Sequence, residues 1–302
     1  MNLPNPAPRI PSVVSYRGRF APSPTGPLHF GSLVAAVGSW ARARSQNGAW
    51  IIRMEDLDPP REVPGAAADI VATLAEFGME SDEPVLYQST RTADYAAAFA
   101  RLRHDDQVFP CWCSRSDLET QHGIHRGACV AAPDPARAPA WRLHAPDASI
   151  EFDDLARGRQ TQNLRETAGD FVIRRVEGWY AYQLAVVIDD AQQRISEVVR
   201  GADLLDSTPR QILLQQLLGL PTPAYLHLPL VLDADGRKLS KQDHALPVAA
   251  RDPVPALRAA LTFLGMDARG AMNVDDMLRT AAAQFDPAKL PQGATARDLG
   301  TP

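Results

Sequence analysis

A chain of 302 residues with 45% hydrophobic content can bury a substantial core, and its 36 acidic and 31 basic residues leave a net charge of -5. That balance excludes a protein that grips nucleic acid with its whole surface, so an RNA partner would need a local basic face. The first fifteen residues hold four prolines and no apolar run of signal-peptide length, and stretches such as Leu184 to Ile188 are too short to span a bilayer; a cytoplasmic protein without a membrane partner is expected.

In chain order, a Pro-rich tail over 1–15 precedes a strand expected over Val13 to Phe20. The loop Ala21 to Leu28 carries three prolines and a glycine and leads into a helix from Gly31, where Leu33, Val34, Val37, Trp40 and Ala41 recur at helical spacing until Asn47-Gly48. A strand over Ala49 to Met54 follows, then helices over Ala67 to Phe77 and Ser89 to Arg103, the latter presenting Tyr95, Phe99 and Leu102 on one face. From His104 to Glu177 the β-α-β-α alternation breaks into short irregular runs that include all three cysteines, which reads as an insertion. Alternation resumes with Tyr180 to Asp189, Arg194 to Val199 and a helix opened by Thr208-Pro209. Two short helices are expected over 252–285, the first capped by Asp252-Pro253.

The expected fold class is therefore α/β, a parallel sheet divided into 16–103 and 178–245, with an inserted segment at 104–177 and a helical stem and tail at 246–302; that the sheet is of Rossmann type is what the resemblance given below implies.

Two motifs carry chemistry. Arg19 to Ser32 reads RFAPSPTGPLHFGS, and it places His29 and Gly31 where a strand-following loop enters a helix. Free N–H groups and the positive dipole end there favour anions, and a glycine permits close approach of a nucleotide; a capping turn would use the same residues. Asp235 to Asp243 reads DGRKLSKQD. Only Lys238, Lys241 and Lys289 are lysines in this Arg-biased chain, and two of them stand three residues apart, which suggests a need for compact ammonium groups rather than guanidinium forks. A solvated loop would also accommodate them.

A third constellation is Cys111-Trp112-Cys113, followed by His122, His125 and Cys129. Clustered thiols with imidazole in a reducing compartment favour tetrahedral zinc over a disulfide. Buried or reactive thiols are the plainer alternative.

His29 to Ser32 and Lys238 to Gln242 resemble the HIGH and KMSKS signatures of class I aminoacyl-tRNA synthetases. The resemblance to glutamyl-tRNA synthetases is close over Arg19 to Ser32 and over Ile51 to Arg61, which reads IIRMEDLDPPR. It implies ATP and Mg2+, with His29, Gly31 and Ser32 anchoring the nucleotide and Lys241, with Lys238, stabilising charge on the departing pyrophosphate. It further implies an L-glutamate pocket lined by Phe20, Ala21, Pro22 and Ser23, in which Arg19 and Tyr182 hold the side-chain carboxylate, Glu55 holds the α-ammonium, and Arg200, in EVVRGAD, is a further substrate-binding arginine. Asp56 and Asp58 could cap or support their loop.

The cysteine cluster resembles the zinc site of a short branch of that family, the glutamyl-queuosine tRNA(Asp) synthetases. The implied ligands are Cys111, Cys113, His125 and Cys129, with His125 where that branch has a tyrosine and His122 left as a spare. Full-length glutamyl synthetases read the anticodon with a further helical domain, whereas the stretch from Lys241 to residue 302 suffices for a short stem. The resemblance thus implies a monomer that activates glutamate without tRNA and passes it to the queuosine base at the wobble position of tRNA(Asp). Two other readings are open: a truncated glutamyl-tRNA synthetase charging a tRNA 3′ end, and a non-catalytic paralogue that binds amino acid or nucleotide. The missing anticodon domain weighs against the first, and retention of His29, Gly31, Lys238 and Lys241 against the second.

Overall fold

The structure is a computed structural model that describes residues 15–232, 248 and 252–291 together with the backbone of 294–295. Lys238 and Lys241 lie outside the described residues.

Two groups of strands build the central layer. β1 (Arg17–Phe20), β2 (Ala49–Met54) and β3 (Leu86–Tyr87) pair in parallel in the order β1-β2-β3. β9 (Glu197–Gly201) pairs in parallel with β10 (Ala224–Leu228) and lies beside β1, where the Ser196 N–H donates to the Arg17 carbonyl at 3.0 Å. The strands read as mixed apolar runs rather than clean alternation because helices cover both faces. Trp50, Ile52, Met54, Val199, Leu226 and Leu228 join one core. Ile51, Val198 and Tyr225 join the other.

On the first face lies α1 (Phe30–Ser45), backed by α2 (Ala66–Glu76), α7 (Pro253–Phe263) and α8 (Val274–Gln284). Helix and sheet meet closely there: a Cβ on Gly38 would come within 2.5 Å of a Leu228 methyl, so the position tolerates no side chain without displacement. The opposite face carries α3 (Thr92–His104), α5 (Tyr182–Gln192) and α6 (Thr208–Leu218), with Tyr95, Phe99, Leu184, Ile212 and Leu213 in the second core. The expected helix start at Ser89 falls in a tighter 3-10 turn over Gln88–Arg91, since the Asp56 carboxylate binds both the Ser89 N–H and hydroxyl and α3 proper begins at Thr92. The expected strand from Val13 begins at Arg17 among the described residues.

Within 104–177, β4 (Val108–Cys111), β5 (Ala140–Leu143) and β8 (Phe171–Arg174) form an antiparallel sheet in that order. Between β5 and β8 the chain makes a hairpin, β6 (Ser149–Asp154) and β7 (Gly158–Asn163), before the single turn α4 (Leu164–Thr167). This hairpin leaves the small sheet and docks on the large one, β6 pairing in parallel with β10 through Asp154 and Tyr225. Among the described residues no helix is long and apolar enough to cross a membrane.

Candidate active site

Parallel strands bring their carboxyl ends to one edge, and there the structure opens a cleft of about 270 Å³. Its walls include Arg19, Phe20, Ala21, Pro22, Ser23, His29, Gly31, Ser32, Glu55, Tyr182 and Arg200, all expected from the sequence.

His29 is the N-cap of α1: its Nδ1 accepts the Ser32 N–H at 3.2 Å, and its Nε2 lies 3.0 Å from the Ser32 hydroxyl. The capping turn is therefore formed, and its residues also line the cleft. A Cβ on Gly31 would sit 3.2 Å from the His29 ring, so a side chain there would press on the cap. On the far side of the stretch that holds Lys238 and Lys241, the Val248 N–H donates to the Leu28 carbonyl at 3.0 Å, next to His29. Val231, before that stretch, lines the cleft.

The charged wall follows from strand register. Arg19 faces Ile51 across β1 and β2, and His227 faces Arg200 across β10 and β9, so these side chains and Arg53 project from the same face of the sheet toward α5. Arg19 is buried; its Nε and Nη2 donate to the two oxygens of Asp190 at 3.0 and 3.4 Å, and its Nη1 donates to the Val199 carbonyl at 3.3 Å. Arg53 is also buried and donates to Asp190 Oδ1 at 2.8 Å, to Gln193 at 2.9 Å and to Glu55 Oε1 at 3.4 Å. Burial acts to raise the Asp190 carboxyl, but the adjacent Arg19 and Arg53 outweigh it and hold it below its ordinary value. For Glu55 the balance reverses: burial pushes it above the usual carboxylate range despite Arg53 and Arg19. A ligand ammonium next to Glu55 would favour its charged form.

Arg200 donates to His227 Nε2 at 3.1 Å, to the Tyr182 hydroxyl at 3.2 Å, to the Leu204 carbonyl at 3.2 Å and to the Thr208 hydroxyl at 2.8 Å. Burial raises the Tyr182 phenol, keeping it a neutral hydrogen-bond donor. Asp56 is occupied by Ser89, and Asp58 pairs with Arg61 and Arg175, so both brace the loop. Sequence reading did not identify Arg53, Asp154, Asp190 and His227, which tie the pocket together; the Asp189-Asp190 pair in an otherwise apolar helix was the one available signal.

The third constellation also assembles. The ligand atoms of Cys111, Cys113, His125 and Cys129 lie within 4.8 Å of one another, a spread that suits one tetrahedral ion with bonds of about 2.0–2.3 Å. His125 Nδ1 is held at 2.9 Å by Asp170 Oδ2, while its Nε2 is buried without a protein partner. An oriented imidazole with one nitrogen anchored and the other left for a cation is the arrangement of a metal ligand. Burial and the neighbouring Cys111 and Cys113 thiols push the Cys129 thiol up to about 12, so three thiolates here require a compensating cation. His122 stands outside, ending its turn at φ 54°.

The family described as tRNA synthetases class I (E and Q), catalytic domain, matches residues 15–140 and 134–280. The chain belongs to this class I synthetase family. A Xanthomonas campestris relative named glutamyl-Q tRNA(Asp) synthetase is 54% identical over 289 residues, 94% of this chain and 96% of its own length. A Burkholderia cenocepacia protein of the same name is 56% identical over 283 residues, 90% of this chain and 95% of its own. The structure of a glutamate tRNA ligase from Elizabethkingia meningosepticum, in complex with its amino acid, superposes with a TM-score of 0.79 at 25% identity, covering 95% of this chain and 68% of that one. The class I synthetase fold accounts for the site at the carboxyl edge and for ATP as co-substrate.

Proposed function

We propose that this class I synthetase activates L-glutamate with ATP, without tRNA, and transfers it to the queuosine base at the wobble position of tRNA(Asp). The observation that carries the reading is the charged lining of the cleft: the Arg19 and Arg200 guanidiniums and the Tyr182 phenol can meet the two carboxylates of glutamate, and of the two carboxylates there, Glu55 and Asp203, Glu55 is the one assigned to its ammonium. The acceptor rests on the names of relatives more than half identical over nearly their whole length.

Arg19 and Tyr182 bind the side-chain carboxylate, Arg200 contributes a second guanidinium, and Glu55 receives the α-ammonium. The backbone from Phe20 to Ser23 shapes the floor, and His29, Gly31 and Ser32 at the start of α1 bind ATP, accompanied by Mg2+. An oxygen of the α-carboxylate attacks the α-phosphorus and the bond to the β-phosphate bridging oxygen breaks. Lys241, with Lys238, stabilises the charge that appears on the leaving pyrophosphate. The glutamyl group then passes to the acceptor base and AMP leaves. Zn2+ on Cys111, Cys113, His125 and Cys129 is structural, because four protein ligands fill its shell. The enzyme works as a cytoplasmic monomer.

The test combines ATP–pyrophosphate exchange in the absence of tRNA with labelled-glutamate transfer to tRNA pools with and without queuosine. Exchange that needs glutamate alone, and label on the base of the queuosine-containing pool, is the expected outcome. Label on the 3′ end, or exchange only with added tRNA, overturns the reading.

A further inference from the structure

We propose that Asp154 and His227 form a positioning dyad that fixes the Arg200 guanidinium at the wall of the amino-acid pocket. Through it, a residue of the 104–177 segment sets how tightly the substrate carboxylate is held. The inference rests on the assignment of Arg200 to glutamate made above.

Hydrogen-bond directions leave one arrangement. His227 is fully buried. Its Nε2 lies 3.1 Å from Arg200 Nε and 3.4 Å from the Thr208 hydroxyl. An arginine N–H can only donate, so Nε2 is the acceptor and the ring proton resides on Nδ1. Nδ1–H then donates to Asp154 Oδ2 at 2.6 Å. Asp154 is itself immobilised at the end of β6: its Oδ1 accepts the Ala156 and Arg157 backbone N–H groups at 3.0 and 2.8 Å.

The guanidinium is specified in turn. Of its five N–H bonds, one goes to His227, two on Nη2 go to Leu204 and Thr208, and one on Nη1 goes to Tyr182. The remaining Nη1–H has no partner among the described residues, and Arg200 and Tyr182 both line the cleft. The Tyr182 hydroxyl, accepting from Arg200, keeps its own proton for a carboxylate. Were the ring proton on Nε2, two donors would meet head-on and the guanidinium would be displaced from this pose. Asp154 therefore acts by selecting the tautomer, two hydrogen bonds away from the ligand.

Amide substitutions separate the two ring nitrogens. Gln at position 227 carries its amide oxygen to where Nε2 stands, whereas Asn reaches only the Nδ1 position. Asp154→Asn presents an amide N–H to Nδ1 and drives the proton to Nε2. Glutamate and ATP titrations of pyrophosphate exchange, with a thermal unfolding curve for each variant, give the readout. His227→Asn and Asp154→Asn are expected to raise the glutamate KM about ten- to hundredfold while the ATP KM stays within about twofold. His227→Gln is expected to stay near the wild type, and Asp154→Asn/His227→Gln to recover most of what Asp154→Asn loses. A normal glutamate KM for His227→Asn, or equal effects of the Gln and Asn variants that follow lost stability, overturns the dyad. If Asp154→Asn does not fold, the His227→Gln and His227→Asn pair decides alone. A wild-type protein without glutamate-dependent exchange overturns the underlying reading and the dyad with it, an outcome distinct from an active wild type with indifferent variants.

Discussion

Asp190→Asn keeps the shape of a side chain that two buried arginines share, and removes its charge. The carboxylate receives Arg19 Nε at 3.0 Å and Nη2 at 3.4 Å on its two oxygens, and Arg53 Nη1 at 2.8 Å. Its side chain is 7% exposed and that of Arg53 is 0%, so solvent cannot replace what is lost. Removing one partner of a buried ion pair costs about 3–5 kcal/mol. Glu55 at 3.4 Å and Asp189 at 4.0 Å from Arg53 remain as partners and offset part of this, which places the expected loss near the lower limit, about 3 kcal/mol. Urea unfolding of wild type and variant measures it, and the glutamate KM should rise in parallel because Arg19 loses the anchor that aims it. A loss below about 1 kcal/mol would show that Arg19 and Arg53 are solvated or otherwise paired, and would refute the central role given to Asp190.

Arg19→Ala should erase much of the preference for glutamate over glutamine, about two to three decades in kcat/KM, whereas Glu55→Gln should weaken both substrates alike; an unchanged ratio for Arg19→Ala would transfer the side-chain carboxylate to Arg200. Metal analysis of freshly purified protein should find about one zinc per chain, retained by His122→Ala and lost from His125→Ala. Chelation should reduce amide protection around β4, β5 and β8 and impair transfer to tRNA while adenylate formation persists, so equal loss of both activities would contradict a structural role. The pH dependence of stability has a derivable sign. Burial, with Arg200, keeps His227 less basic than in the unfolded chain despite Asp154, so only the unfolded state gains a proton as the pH falls below about 6.5, and stability declines. Asp154 and Asp190 are held below their ordinary values, by His227 and by the two arginines, against burial; their contribution is present above about 4 and lost as the pH falls through their folded values. Glu55, raised by burial, runs the other way, its term weakening as the pH rises from about 4.3 to its folded value. Urea midpoints from pH 8 to 4 should therefore fall, and His227→Gln should remove the upper part of that fall; a flat profile would contradict the neutral buried imidazole.

Periodicity located what hydrophobic patterning controls. The strand Ala49–Met54 was expected with its observed limits, and α1 begins one residue before Gly31 because His29 closes the cap. The thiol spacing together with the resemblance named His125 over His122, and the geometry that separates them, a ring buried beside Asp170 against a turn residue at positive φ, is tertiary. The β6–β7 hairpin left little trace: β7 reads GRQTQN without an apolar residue, and the alternation of β6 rests on Ile150 and Phe152 alone, with a carboxylate, Asp154, at the third inward position. Ion pairs are legible only when local. Arg19 and Asp190 stand 171 residues apart, and Asp154 and His227 stand 73 apart; no pattern within a window of sequence can join them.

The excursion of that hairpin has a consequence for modularity. Strands β5 and β8 belong to the small antiparallel sheet, yet the chain between them is stitched to β10 of the large one. A segment interlaced in this way cannot be excised at its two ends and expected to fold as an independent unit, nor can its removal leave the remaining sheet intact, since β10 would be stripped of a neighbour and acquire a bare edge. Opening of the small sheet and of the large one should accordingly be coupled events. Grafting experiments that exchange this region between relatives would need to carry β10 and His227 with it.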